Sequence, residues 1–291
     1  MERRGIPSSL VAAQPDPGGG RLACLVHPAA AAVVLGSAQP ETDLDTERCL
    51  DAGLAVARRR GGGGAVVVVP GSQVWLDLFV PVADPLFDPD VGRASAWVGA
   101  LWRDAIAVAS GRRDGLAVHD GRLVATAWSR RVCFSGIGPG EVTRRGRKIT
   151  GLAQRRDRTG VWFFTMALVR REQHRLALVL AGSDEERPAL RAALATETAA
   201  AGCAAEDLEV EIGRGLGGAW SAGEDVPAEP HPPEGERDAT NRQAGEPVDG
   251  LADPREPAAG RHRDGLERGE RRDEGDPGRD RDQPVAHRRT R

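Results

Sequence analysis

Three stretches of this 291-residue chain carry residue types that could do chemistry. In residues 56–66, three arginines (Arg58, Arg59, Arg60) run straight into four glycines (Gly61, Gly62, Gly63, Gly64), followed by Ala65 and Val66. Glycine turns sharply and lets a ligand lie against bare N–H groups. With positive charge beside it, that backbone suits a phosphate or a carboxylate. Taken alone a glycine run is more often a flexible turn, and this one has neither the Gly-Lys-Ser/Thr of a P-loop nor the spacing of a dinucleotide fingerprint.

The second stretch, residues 146–156, reads Gly-Arg-Lys-Ile-Thr-Gly-Leu-Ala-Gln-Arg-Arg and holds Lys148, the single lysine among 40 Lys+Arg. A composition that writes almost every cation as arginine and keeps one lysine points to a place where a compact ammonium on a flexible stem serves and a planar fork does not. Survival of one codon by chance is the plain alternative. If 148–154 is extended, Lys148, Thr150, Leu152 and Gln154 share one face, opposite Ile149 and Ala153. Gly151 in mid-strand marks close approach of a ligand or another backbone. From the residues alone, this is an edge strand with a solvated lysine. The third stretch is Val132-Cys133-Phe134. A cysteine among apolar residues is usually a small buried hydrophobe, and a nucleophilic Cys133 needs Lys148 or the arginines at 144, 145 and 147 nearby. Cys24 and Cys49 read as core, and Cys203 lies at a helix end. His27, His119 and His174 form no ligand-spaced pair, so no metal site is expected.

These residues need a scaffold. With 40% hydrophobic and 29% charged residues the chain can build one domain of about 200 residues or two small ones. A net charge of −3 gives no argument for binding nucleic acid or a membrane surface, and no apolar run approaches a spanning helix. The first residues lack a secretory signal, which makes a cytoplasmic protein the default. Four dispersed cysteines argue against a disulfide framework. Residues 1–20 read as a loose leader, 21–220 as the folded domain, and 221–291 as a disordered tail. The tail has 18 Asp+Glu, 13 Arg and no aromatic residue. Its mixed charges would also fit an off-frame translation.

The pattern predicts strands at 31–36, 65–69, 73–80, 116–119, 123–127, 131–135, 148–154 and 161–169. Helices are predicted at 41–52, with Leu44, Cys49 and Leu50 on one face, at 91–110 and at 184–201. The helix at 91–110 puts Trp97, Val98, Leu101, Trp102, Ala105 and Val108 on one face. Many strands with a few long helices argue an α+β fold, a mixed sheet with helices on one side.

Residues 58–66 resemble the RRxSGGGAV signature of the biotin and lipoate protein ligase family, and residues 146–156 resemble its GRKxxGxAQRR signature. Residues 34–39 are similar to the family's strand ending in Gly-x-x-Gln. Order and spacing agree over roughly 30–215. The resemblance implies a mixed, mainly antiparallel sheet with flanking helices, like class II aminoacyl-tRNA synthetases. It implies that the glycines line an acyl tunnel and that Lys148 reaches the acyl carbonyl or an acyl-adenylate phosphate. Ligand binding would fall to Arg58, Arg59, Gly62, Gly63, Gly64, Ala65, Gly151, Ala153 and Gln154.

The implied activity attaches a lipoyl or octanoyl group to a lysine of a lipoyl carrier domain, in a 2-oxoacid dehydrogenase or glycine cleavage protein. Lipoate or octanoate would be the acyl group, with ATP for ligation. The arginines at 58–60, 144–147 and 155–158 would dock the acidic carrier domain. The chain departs from the family's His-Asp at Val67-Val68-Val69-Pro70 and from its His-Gly at Trp162-Phe163-Phe164, which leaves ATP use open. In a related octanoyltransferase branch the acyl group passes from an acyl carrier protein through a cysteine placed like Cys133, without ATP. A binding module for lipoate or biotin that has lost turnover is a further alternative.

Overall fold

A computed structural model describes residues 2–5, 15–217 and 220. The tail expected at 221–291 lies outside the described residues, as do residues 6–14 of the expected leader. Glu2–Gly5 of that leader form strand β1, which pairs parallel with β2 (Leu22–Pro28). A five-stranded sheet runs β1-β2-β6-β11-β10, with β6 spanning Gln73–Pro81, β10 Thr150–Arg156 and β11 Gly160–Leu168. Apart from β1–β2 its pairs are antiparallel. A three-stranded sheet orders β4 (Ala55–Arg58), β3 (Ala32–Leu35) and β5 (Val66–Val68). A third joins β7 (Leu116–Val118), β8 (Val142–Arg144) and β9 (Arg147–Lys148). This is the expected α+β class, with mainly antiparallel pairing.

Side-chain alternation along β6 and β11 divides the interior. Val74, Leu76, Leu78 and Val80 of β6, with Val161, Phe163 and Ala167 of β11, pack against two helices. These are α2 (Val91–Ala109) and α5 (Ala205–Leu216), which contribute Val98, Trp102, Ile106, Leu208 and Ile212. On the other face Trp75, Cys24, Val26, Met166 and Leu168 meet Val34 and Val66 of the small sheet. The small sheet's far side, Val33, Leu35 and Val67, is covered by α1 (Thr46–Asp51), α3 (Leu176–Val179) and α4 (Glu186–Glu197). Sheets buried on both faces explain why β5 and β6 read as near-continuous apolar runs.

Several expectations are corrected. The helix predicted at 41–52 is a 3₁₀ turn, Glu41–Asp43, followed by α1, because the Asp45 side chain accepts from Arg48 N at 3.1 Å and starts a new helix. Leu44 falls outside that helix, and within it Leu50 is 79% exposed while its neighbour Cys49 is buried. Likewise Val108 of α2 is exposed while Ile106 is buried. The strands predicted at 123–127 and 131–135 are loops with single bridges, Val124 to Ile137 and Ala65 to Val132. There, Thr126 N donates to Ser129 Oγ at 2.8 Å and Trp128 N to Thr126 Oγ1 at 3.2 Å, so short hydroxyl side chains compete with a ladder. The helix predicted to 201 stops at Glu197. Thr198 turns extended and bridges Lys148, and Ala199 N donates to Lys148 O at 2.8 Å. The Arg145-Gly146 turn, both residues at positive φ, joins β8 to β9 and sets the register that delivers Lys148. Strand β2 and helix α5 were not anticipated. Among the described residues no helix is long and apolar enough to cross a membrane.

Arg21, at the start of β2, holds the loop after β6 through a paired contact, Nε to Asp84 Oδ2 at 2.6 Å and Nη2 to Oδ1 at 2.8 Å. The Arg21 bond, assisted by the Leu86 N–H, keeps the Asp84 carboxyl below its ordinary value. A depressed folded-state pKa contributes stability that is complete above the unfolded value of about 3.9 and lost as pH falls through the folded one. Asp84→Asn should therefore be less stable than wild type near pH 6, with the gap narrowing toward about pH 3, as read from urea midpoints.

Candidate functional site

The glycine run is held from within. Arg59, 8% exposed, donates from Nη1 to Val34 O at 3.1 Å and from Nη2 to Gly62 O at 2.7 Å and Gly64 O at 2.9 Å. It thus ties the loop to the end of β3. Arg58 grips the preceding turn, donating to Gly36 O at 2.9 Å and to Gln39 O, with Glu41 at 3.4 Å. Gln39 in turn donates to Arg131 O at 3.0 Å. Each glycine has its own surroundings. A Cβ on Gly61 would stand 2.9 Å from the Phe164 ring and 3.3 Å from Ala153 Cβ, whereas one on Gly62 would meet nothing. Gly63 lies at φ +92°, and Gly64 leaves no room for a Cβ against Arg131 and Val132. Ala65 N donates to Arg131 O at 2.8 Å and Cys133 N to Ala65 O at 2.9 Å, so the Cys133 segment is stitched to the end of the glycine loop.

Between the large and small sheets lies a narrow slot of ≈ 40 Å³. Its walls include Val34, Val66, Phe134, Trp75, Met166 and Phe164, together with Arg59, Cys133, Gly151 and Ala153. Cys133 Sγ lies near both glycine positions: a Cβ on Gly63 would be 3.8 Å from it and one on Gly151 3.6 Å. Gly151 is bare because Cys133 and Phe134 occupy the space a side chain would fill. Arg59 also borders an open groove of ≈ 760 Å³ lined by Ser37, Arg58, Arg60, Gly62, Gln154 and Arg155. Four guanidinium groups make that groove a surface for an anion. Gln154 is anchored there by donating to Ser95 Oγ at 2.6 Å and Val91 O at 2.8 Å.

Lys148 is not the solvated edge lysine that its flanks suggest. It is 3% exposed, and its Nζ donates to Cys133 O at 2.7 Å, Gly136 O at 3.2 Å and Glu141 Oε2 at 2.7 Å, above the Phe134 ring at 5.3 Å. An ammonium has three donors, and all three are spent on the 133–141 loop. It stands behind Cys133 and is not part of the slot's lining. Glu141, 4% exposed, also accepts from Gly138 N at 2.7 Å and Leu152 N at 3.0 Å. Sequence reasoning missed Glu141, yet it is the single acidic residue in 121–156, and a buried lysine requires a counter-charge. Ser135 Oγ donates to Glu197 Oε2 at 2.6 Å and lies 2.5 Å from Thr126 Oγ1, bracing the same loop from its other side. Trp75 and Met166 also went unremarked in the sequence, since wall residues of a slot read as ordinary core.

The model of the lipoyl protein ligase A/B catalytic domain family matches residues 11–193. The chain belongs to that family. No curated protein sequence matches it. Solved structures similar to it include a bipartite lipoate protein ligase, from a study with its E2 lipoyl domain in Thermoplasma acidophilum. That match has a TM-score of 0.53 and 17% identity, over 74% of this chain and 82% of that one. A lipoate-protein ligase A bound with ATP matches with a TM-score of 0.52 and 18% identity, over 74% and 81%. At these identities the likeness establishes the fold. The family match makes this a lipoyl protein ligase A/B-type catalytic domain, and so an enzyme.

The packing at the glycine loop separates substitutions that look alike in sequence. Gly36→Ala forces a Cβ into the Gly63 carbonyl and should cost about 1–3 kcal/mol or more. Gly62→Ala meets open space and should stay within about 0.5 kcal/mol of wild type. Glu141→Ala leaves the Lys148 ammonium buried without its counter-charge and should cost about 3–5 kcal/mol. Urea unfolding of the three variants side by side checks the order.

Proposed function

We propose that the chain transfers a lipoyl or octanoyl group to the side-chain amine of a lysine on a lipoyl carrier domain, with Cys133 carrying the acyl group as a thioester. The observation that carries this reading is the position of Cys133 Sγ on the wall of an apolar slot, between Gly63 and Gly151, with an arginine groove beside it. The apolar walls suit an acyl chain, and the groove suits a negatively charged donor or acceptor. Both an acyl carrier protein and the lipoyl domain of a 2-oxoacid dehydrogenase or glycine cleavage protein are such partners.

In the first step the Cys133 thiolate attacks the carbonyl carbon of the donor thioester. The donor's C–S bond breaks, its sulfur leaves as a thiolate that takes up the proton Cys133 gave up, and the acyl group is bound to Cys133. In the second step the carrier's neutral lysine amine attacks that thioester, an amide bond forms as the C–S bond to Cys133 breaks, and the proton lost by the amine passes to the released Cys133 thiolate. Lys148 is a positioning residue in this scheme. Its bonds to the carbonyls of Cys133 and Gly136 fix the loop that presents the thiol, so its contribution is preorganisation.

Ligation through an acyl-adenylate is the second reading, favoured by the same groove, where Arg60 and Arg155 could meet the phosphates of ATP. In that scheme the carboxylate of lipoate or octanoate attacks the α-phosphate and pyrophosphate leaves; the carrier amine then displaces AMP. The family resemblance supports this route, while the spent donors of Lys148 argue against the direct contact with the acyl group that it would use.

Incubating a purified lipoyl domain with octanoyl-carrier protein and no ATP, and weighing the product by mass spectrometry, separates the two. Acylation without ATP that falls at least about 100-fold in Cys133→Ser is the expected result. Acylation that needs free octanoate plus ATP and survives Cys133→Ser assigns the adenylate route and removes Cys133 from the mechanism. Lys148→Arg should lower transfer even where the fold persists, because a planar fork cannot reproduce the three bonds of the ammonium.

A further inference from the structure

The walls of the slot also bear on which acyl groups it admits. The slot follows β11 from Phe164, which covers Gly61, to Met166, two residues and about 7 Å further along the strand. At that end Met166 pairs with Trp75 of β6, and both are buried. The two differ in compliance. Methionine is unbranched and rotates to fill or vacate space. Trp75 is pinned, because its Nε1 donates to Asp77 Oδ1 at 2.9 Å and Asp77 is itself buried.

No polar side chain of β11 reaches this end of the slot. The Thr165 hydroxyl points to the helix face of the strand, where it donates to Leu76 O at 2.7 Å and accepts from Trp102 Nε1 at 3.0 Å. A polar head group arriving beside Met166 would lose its water and find no partner from that strand's side chains. At ≈ 40 Å³ the slot holds about three water-sized groups, so an acyl chain enters by displacing the side chains that yield. A slender saturated chain asks for the least displacement, whereas a ring at the chain's end meets the fixed indole.

We infer that Trp75, latched by Asp77, is a specificity-determining residue that admits a straight saturated acyl chain and rejects one ending in a ring, such as a dithiolane or a ureido bicycle. This rests on the reading of the slot as the acyl site. Isothermal titration of the full-length protein with octanoate, lipoate and biotin tests it without requiring turnover. Octanoate should bind at least about ten-fold more tightly than lipoate, in line with the discrimination an apolar pocket achieves, and biotin more weakly still.

Trp75→Leu should bring lipoate to within about three-fold of octanoate. If that variant does not fold, Trp75→Phe keeps an aromatic ring in the core while removing both bulk and the bond to Asp77, and must narrow the ratio at least about three-fold. Lipoate binding wild type as tightly as octanoate, or a ratio that neither variant changes, overturns the inference and leaves the acyl-site reading intact. No binding of any of the three acids overturns the acyl-site reading itself.

Discussion

The arrangement around the slot depends on one buried ion pair, Lys148 with Glu141. Two charges removed from water are costly unless every lone pair and proton finds a partner. Here the ammonium reaches a carboxylate and two backbone carbonyls, while the carboxylate accepts two further N–H groups, from Gly138 and Leu152. Those partners belong to the 133–141 loop and to β10. The pair therefore does what a strand ladder would otherwise do for a segment with almost no ladder of its own. It fixes an irregular loop beside a sheet and sets the height at which Cys133 meets the slot.

The glycine loop solves a different problem, that of bringing backbones within contact distance. A side chain on Gly36 would collide with the Gly63 backbone and one on Gly64 with the backbone of Arg131 and Val132, Gly63 adopts positive φ, and Gly61 yields its space to Phe164. Arg59 then supplies from one guanidinium the donors that the loop's inward carbonyls need, so the turn stays closed without regular structure. The same arginine borders the slot and the basic groove. Charge that holds the loop is thereby also placed where an anionic donor would approach.

The sequence disclosed the fold class and the strands whose apolar runs are continuous, because burial on both faces leaves a strong local signal. It also singled out the glycine run and Lys148 as unusual. What it did not disclose was non-local. Nothing in the residues around Lys148 says that the strand breaks at Ile149, that Thr198 leaves its helix to pair beside it, or that Glu141 turns back to meet it. Leu50 read as core because its spacing fits a helix beginning at Glu41, and Asp45 restarts that helix. The loops at 123–127 and 131–135 misled for the opposite reason. Their β-branched and apolar residues favour strands, but the Thr126 and Ser129 hydroxyls satisfy backbone N–H groups locally.

The departures from the family's histidines acquire a physical meaning from their surroundings. Val67 lies in the middle of β5, fully buried, and Gln173 donates to its carbonyl at 2.8 Å while accepting its N–H at 3.0 Å. The Val67 side chain faces the apolar cluster of Leu44, Leu176 and Leu194. On β11, Trp162 stacks with Phe164 at 6.2 Å and packs on Phe79 at 5.1 Å, which makes an aromatic wall where the family pattern has His-Gly. Neither an imidazole nor a carboxylate is among the side chains lining the slot.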